Sequence, residues 1–493
     1  MKKRSAYLAI DFGTSNVHAS VIDAETTRII VNTNKKYGWY YPAQNQVELH
    51  IDETWKASEW AVGEVIRQLP EDVELLAITF SYFGDSITPV DEKGEALYGM
   101  IPGFCGRSFK EVQTIGREIG ADTYAKITGN TLSTLATPSK IMWLRDNEPE
   151  VFKKAAGFYS NQQYVMRKLG LGDVQDRTMA ARKLMIDVKA NCWSAPILEL
   201  AGVTEQQLGT QIVESATVVG TIDHYGSVRL PRTLPVTIGC HDVSASLLSA
   251  GVRLENPDTI GVLMGTYEQM GYFSDTFVAG CNDFGDSLIF SCCYSSPFNN
   301  KYTVMDAFPT AGALLEWFCK NILRDPSADI GKLIADAKLD GTGSLMMLPY
   351  VENFHGAVVG MSLSTTTDEI FAAILESLAY QFVACVDYIR STRKQPFTRL
   401  HFGGGGSRTD KLLQLRADLI QAPLGRMQNI ELPSLGACML AGLGNNWYAS
   451  VEDAAAHMGN PVSYFEPIPE NETKYAERYA RYKAISADYL RRY

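Results

Sequence analysis

A chain of 493 residues, 46% of them hydrophobic, is long enough for two or three domains with sizeable cores. Its formal net charge of -11 excludes nucleic acid or an anionic membrane as an expected partner, since neither attracts an acidic surface. Nine cysteines without metal-ligand spacing, a basic Met1–Arg4 not followed by a signal-peptide core, and apolar runs short of the ~20 residues that cross a bilayer lead to the expectation of a reduced, soluble, cytoplasmic protein.

Tyr7 to Asp23 reads as a β-hairpin. An apolar run reaches Ile10, Asp11 follows, and Gly13, Thr14, Ser15 and Asn16 make a turn rich in small and hydroxyl residues. Such a turn can gather N–H groups on one side to cradle phosphate oxygens, and Asp11 beside it could hold a Mg²⁺ through water. Arg28–Asn34 is a third strand, and Tyr37–Pro42 an aromatic loop that either packs or stacks on a sugar face. Asp52 is a candidate N-cap for a helix running to Leu69. Leu75–Phe80 is the next strand, with Ser81–Ser86 at its C-terminal end, the edge where open α/β sheets bind ligands. Helices follow at Lys110–Gly120, at Pro138–Asp146 and beyond Glu150, while Arg182–Val188 reads as helical or mixed. Pro235–Gly239 is a strand and Val243–Ala250 a helix of small residues, suited to close packing where two domains meet. The boundary falls there, giving domains 1–250 and 251–493.

In the second half, strands are expected at Thr259–Met264, Tyr267–Phe273 and Leu288–Cys293, and a helix at Ala311–Leu323. Asp368–Arg390 is a long helix with a core-facing apolar stripe. Arg399–Phe402 is a strand feeding the run Gly403, Gly404, Gly405, Gly406 and Ser407, whose bare backbone can lie against a flat ligand or form a plain flexible turn. Helices at Lys411–Ile420, Leu435–Asn445 and Glu472–Arg492 close the chain. Thr259–Asp275 repeats the first hairpin, with Gly265 and Thr266 at its turn and Asp275 spaced from Gly265 as Asp23 is from Gly13. Leu263 stands where Asp11 would, so the two halves are of related build but chemically unequal.

Taken together these pieces resemble the FGGY carbohydrate kinases nearly end to end. The matching residues are Asp11-Phe-Gly-Thr14, Lys140-Ile-Met-Trp-Leu144 with Asn147-Glu-Pro149, Gly239-Cys-His-Asp242, Gly265-Thr-Tyr-Glu268, Gly403–Ser407 and Gly436-Ala437. The resemblance implies an α/β fold of two actin-like, ribonuclease H-like ATPase domains with a cleft between them. It implies an ATP-dependent kinase using Mg²⁺, whose acceptor is a ketopentose or (deoxy)ketohexose. The alternatives are a glycerol- or erythritol-type polyol kinase and, in another class, an actin-like ATPase without a sugar acceptor. Its partners are then a small sugar or polyol and ATP/ADP, with no nucleic acid and no membrane; a homodimer is left open.

Phosphoryl transfer requires in-line positioning, a metal, donors for the equatorial oxygens and a proton acceptor. Asp242, at a strand end before a helix, reads locally either as a helix cap or as that base; the resemblance assigns the base to this position. It also implies phosphate contacts at Gly13, Thr14, Ser15 and Asn16 on one side and at Gly265 and Thr266 on the other. Asp11 would orient the hydrated metal, and Gly404, Gly405, Gly406 and Ser407 would form the adenosine floor. On the acceptor side it implies Tyr82, Phe83, Asp85 and Arg107, with His241 and Asp242. Cys105 departs from the family's Asp-x-Arg pair at Arg107, and Glu268 is open to metal, sugar or a neighbouring donor.

Overall fold

The computed structural model describes residues 3–255, 257–265, 267–278, 289–308, 311–339, 343–349, 356–393 and 395–491. Thr266, Leu288 and Arg492 lie outside them. The first lobe begins with β1 (Arg4–Phe12), β2 (Asn16–Asp23) and β3 (Ile29–Lys36), an antiparallel meander. Helix α1 (Ile51–Arg67) buries Trp55, Ala61, Val62 and Val65 on one face. β4 (Val73–Tyr82) then enters parallel to β1. A helical excursion containing α2 (Thr137–Asn147) and α3 (Arg177–Ala181) precedes β5 (Val218–Tyr225), β6 (Val228–Thr237) and β7 (Cys240–His241). The sheet runs β5-β6-β4-β1-β2-β3, with β7 also on β4. From Tyr7 onward β1 is buried at every position, as a strand covered on both faces must be.

Helix α4 (Asp242–Ser249) leads to the second lobe. There β8 (Thr259–Met264), β9 (Glu268–Ser274), β10 (Phe290–Ser295) and β11 (Tyr302–Phe308) are followed by the long α5 (Thr367–Thr392). β12 (Arg399–Gly403), α6 (Asp410–Ile420), β13 (Leu424–Met427), α7 (Leu432–Gly444), β14 (Val462–Phe465) and α8 (Glu472–Leu490) complete it. Its sheet runs β10-β11-β9-β8-β12-β13-β14. The two sheets share a plan. A hairpin (β1–β2, β8–β9) extends by an antiparallel third strand (β3, β11) on one side and by a parallel strand (β4, β12) on the other. The repeat inferred from the two Gly-turn hairpins is therefore a repeat of topology.

Between the lobes, α4 packs on α7, and α7 lies across β1 and β4 of the first sheet although it comes from the end of the chain. A side chain at Gly436 would meet the Ala245 carbonyl oxygen at 1.8 Å, so the helices cross backbone to backbone. One buried core joins Tyr7, Ala9 and Ala77 of the first sheet to the apolar residues of α4, α5 and the second sheet.

Three expectations need amendment. Helix α1 starts at Ile51 behind His50, and Asp52 accepts from the Tyr164 hydroxyl instead of capping. Strands β5 and β11 and the first half of β6 were not expected, and the 182–188 stretch is a turn and a short strand after α3. One helix, α5, is long and apolar enough to cross a membrane by length and composition, and 83% of its most apolar window is buried inside the protein.

Candidate active site

Sheet register brings the acidic residues together. Asp11 of β1 pairs with Ser81 of β4, and Ser81 pairs with Cys240 of β7, so the three form one row across parallel strands near their C-terminal ends. The next row is Phe12, Tyr82 and His241, and the chain then turns into α4 at Asp242. Asp242, the first residue of α4, follows directly on this edge, close enough to Asp11 for the two carboxyl groups to act on each other. The Ser81 hydroxyl donates to Asp11 Oδ1.

Asp242 retains 29% of its side-chain surface and lies 3.3 Å from His241 Nε2. Its Oδ1 accepts from the Val243 backbone N–H at 2.6 Å, in the first turn of α4. Burial, reinforced by the Asp11 carboxylate, raises Asp242 from 3.8 to about 8, against the opposing pull of the Val243 N–H and Arg182. Asp11 is raised to about 6, first by burial and further by Glu431, although Ser81 and His18 pull it down. Two carboxyl groups held up in this way make a site that gains from an added cation. Among the described residues no group of three or more His, Cys, Asp or Glu could hold a metal by itself. A single carboxylate suits Mg²⁺, which keeps most of its shell as water and phosphate oxygens.

Burial, and then Arg182, hold His241 well below the usual imidazole range, so the ring is neutral. Its Nδ1 is 3.0 Å from the hydroxyl of Tyr294, which belongs to β10 of the other lobe. Either nitrogen of a neutral ring can carry the proton, so Nδ1 either donates to that hydroxyl or accepts from it. Beside it Asp85, in the left-handed region at φ 55°, pairs with Arg182. Arg182 also donates from Nη1 to Asn130 Oδ1 at 3.0 Å and stacks over Tyr294. The second lobe is tied down at this point: the Cys293 N–H donates to the Gly129 carbonyl at 2.7 Å.

The nucleotide-side residues sit at two turns and one loop. Thr14 and Ser15 are exposed at the first turn, where the Gly13 N–H bonds back to the Asn16 carbonyl at 3.0 Å. Gly13 is not in the left-handed region; a Cβ there would crowd Asn16 Oδ1 at 3.1 Å. Gly265 closes the second turn onto the Tyr267 carbonyl at 3.0 Å, and Thr266 lies outside the described residues. Gly404, at φ 85°, lies against the end of β8, where a side chain would meet the Met264 carbonyl at 2.6 Å. Gly405 and Gly406 are exposed, and a Cβ on Gly405 would meet nothing within 4 Å.

Four expected contacts are corrected. Tyr82 is fully buried and stacks on Phe12 and Phe80, so it belongs to the core. Phe83 is likewise buried. Arg107 is held by Glu48 at 2.9 Å, by the Val47 carbonyl and by Cys105 Sγ, and lies over the Trp143 ring. Ser407 is buried, its hydroxyl bonded to the Gly404 carbonyl at 2.7 Å, so it shapes the glycine loop and does not face outward. Glu268 forms a buried bidentate pair with Arg416, at 2.7 and 2.8 Å. Arg182, Asn130 and Tyr294 escaped the sequence reading, since the first sits in the 182–188 stretch that reads as helical or mixed and Tyr294 follows a Cys pair that reads as core.

Similarity to known proteins shows the family and the fold. The model of the FGGY family of carbohydrate kinases, N-terminal domain, matches residues 6–249, and that of the C-terminal domain matches residues 285–444. The chain is 23% identical to a xylulose kinase of Bacillus subtilis (97% of this chain, 96% of the relative). It is 25% identical to a glycerol kinase of Desulforamulus reducens (92% of each) and 24% to an L-fuculokinase of Escherichia coli (95% and 99%). Among solved structures, a ligand-bound xylulose kinase from Lactobacillus acidophilus superposes with a TM-score of 0.84 at 18% identity (98% and 97% covered). A gluconate kinase from the same organism gives 0.84 at 18% identity, with both chains fully covered.

Proposed function

Because the chain belongs to the FGGY family of carbohydrate kinases, phosphotransferases with an alcohol group as acceptor, we propose that it transfers the γ-phosphate of ATP to a hydroxyl of a ketopentose or (deoxy)ketohexose. The observation that carries this reading is the position of Asp242, at the C-terminal edge of the first sheet close to Asp11, where burial and that carboxylate push its carboxyl up to about 8. A base matched to neutral pH takes the acceptor's proton most effectively.

In this reading residues 1–250 carry the acceptor and the base, and residues 251–493 the nucleotide. The first turn (Gly13, Thr14, Ser15, Asn16) and the second (Gly265, Thr266) grip the phosphates from opposite lobes. The exposed backbone of Gly405 and Gly406, shaped by Gly404 and Ser407, is the adenosine floor. Asp11 would hold Mg²⁺, which when bound would neutralise phosphate charge. Asp85 and His241 face the acceptor, while Tyr82, Phe83 and Arg107 support that wall from behind. Closing the cleft over both substrates keeps water from the phosphoryl group.

A small polyol is the second reading, favoured by the glycerol kinase relative at 25% identity. ADP release measured across ketopentoses, 6-deoxyketohexoses, tetritols and glycerol separates the two. Asp242→Asn should leave ATP binding near normal and lower turnover by ~10²–10⁴-fold, the contribution of a general base. Unchanged turnover in that variant removes the proposed mechanism.

A further inference from the structure

The cations of the acceptor wall are already engaged. Arg182 is only 4% exposed at its side chain and is paired with Asp85. Its remaining contacts are Asn130 Oδ1, Cys292 Sγ and the face of Tyr294. Arg107 has no exposed side-chain surface and is paired with Glu48. Lys140 is buried and donates to the Thr134 carbonyl. His241 is neutral, bonded to Tyr294 and lying 3.3 Å from Asp242. Against these stand the carboxyl groups of Asp11, Asp85 and Asp242. Among the described residues, each of these cations is therefore already paired or bonded, with the buried Arg182 Nε left as an unpartnered donor, and the wall's other ionisable groups are acidic.

The loop is built to keep the Asp85–Arg182 pair in position. Asp85 adopts a left-handed backbone, and Gly84 and Gly103 flank it. A Cβ on Gly84 would lie 2.9 Å from the His241 ring and 3.1 Å from Arg182 Cβ; one on Gly103 would lie 2.8 Å from Asp85 Cβ. The missing side chains let the carboxylate, the guanidinium and the imidazole close on one another.

We infer that the Asp85–Arg182 pair is a specificity device, with Asp85 neutralising Arg182 so that the site accepts uncharged polyhydroxyl substrates and rejects sugar acids. This rests on the kinase reading above. A carboxylate acceptor would have to displace Asp85 from Arg182 or sit unpaired among the acidic groups, and either costs binding. An uncharged ketose or polyol needs only neutral and charge-assisted hydrogen bonds. The gluconate kinase and xylulose kinase neighbours superpose equally well, so the fold does not make this choice; the charge of the wall does.

The test is an acceptor panel on the whole protein with ATP and Mg²⁺, reading ADP release and product mass for D-xylulose, L-fuculose, glycerol and D-gluconate. The wild-type chain should phosphorylate a neutral acceptor with kcat/KM at least ~10- to 100-fold above gluconate, the factor a charged hydrogen bond is worth. Asp85→Asn keeps a residue type that tolerates the left-handed backbone and frees the guanidinium, so the gluconate-to-neutral ratio should rise by about the same factor. Arg182→Gln should not raise it, since it removes the guanidinium that Asp85→Asn frees. Thermal melts and ATP binding check that the variants fold, and a purely structural role would depress all acceptors alike in both. Gluconate as the preferred wild-type acceptor, or an unchanged ratio in folded Asp85→Asn, overturns the inference while leaving a kinase. No turnover with any acceptor overturns the kinase reading and this inference with it.

Discussion

Asp242 has a measurable consequence before any ligand binds. Its carboxyl rises from 3.8 to about 8 because burial and Asp11 disfavour the anion. The folded chain therefore retains a proton that the unfolded chain releases across that window. A raised carboxylate opposes folding fully above pH 8, and the penalty fades as pH falls toward 4. Asp242→Asn removes the charge, so the apoprotein should melt about 2 °C higher at pH 8, with the gain shrinking to nothing near pH 4. A melting difference that is flat with pH contradicts this assignment of the charge. Gly405 supplies a cleaner probe of the nucleotide side. An added methyl meets nothing within 4 Å, so Gly405→Ala should leave the melting temperature unchanged. If a purine rests on that backbone, the same methyl should raise KM for ATP several-fold while KM for the acceptor stays put. Equal KM values for ATP in the two proteins would move the adenosine elsewhere.

At the scale of elements, the Glu268–Arg416 pair pins β9 to α6. Both side chains are 1% exposed, and the guanidinium also stacks on Phe382 and Phe402. Arg416→Ala strands a buried carboxylate, and urea titration should report a loss of about 3–5 kcal/mol. A loss under 1 kcal/mol would mean that water reaches Glu268. This pair also marks how far the sequence could be read. The Gly265-Thr-Tyr-Glu268 turn was legible, but the partner of its glutamate lies 148 positions on and has no local signal. The hairpins, β4, α5 and the glycine loop were legible because short-range pattern and turn chemistry decide them. Strand β6 was only half legible, since Pro231 argues against a strand and is tolerated where the β5–β6 register shifts. β11 was missed because Asp306 interrupts its apolar run, and burial carries that residue to about 7. The Asp11 and Asp242 motifs could be found one by one. The Asp85–Arg182 and His241–Tyr294 contacts could not, because each joins distant segments and the second joins two lobes.

For the whole molecule, the decisive joint is where α4 meets α7. Helix α4 begins with Asp242, and α7 lies on both α4 and the first sheet, so any change in lobe angle must pass through this crossing. The fit leaves no slack: Gly436 faces the Ala245 carbonyl, and Thr79 of β4 donates to the Ala437 carbonyl at 3.2 Å. Gly436→Ala would bring a methyl to 1.8 Å from that oxygen, so the helices must part. Overpacking of this kind costs about 1–3 kcal/mol. Because the core runs unbroken from Tyr7 and Ala9 into the second lobe, the loss should lower a single unfolding transition for the whole chain. The same displacement carries Asp242 away from the phosphate turns. kcat should therefore fall more than KM for either substrate rises, since closure rather than first contact is impaired. Calorimetry and steady-state kinetics on the one variant read both effects. Two separate melting transitions, with only one of them shifted, would show that the lobes fold independently and that the crossing is a passive contact.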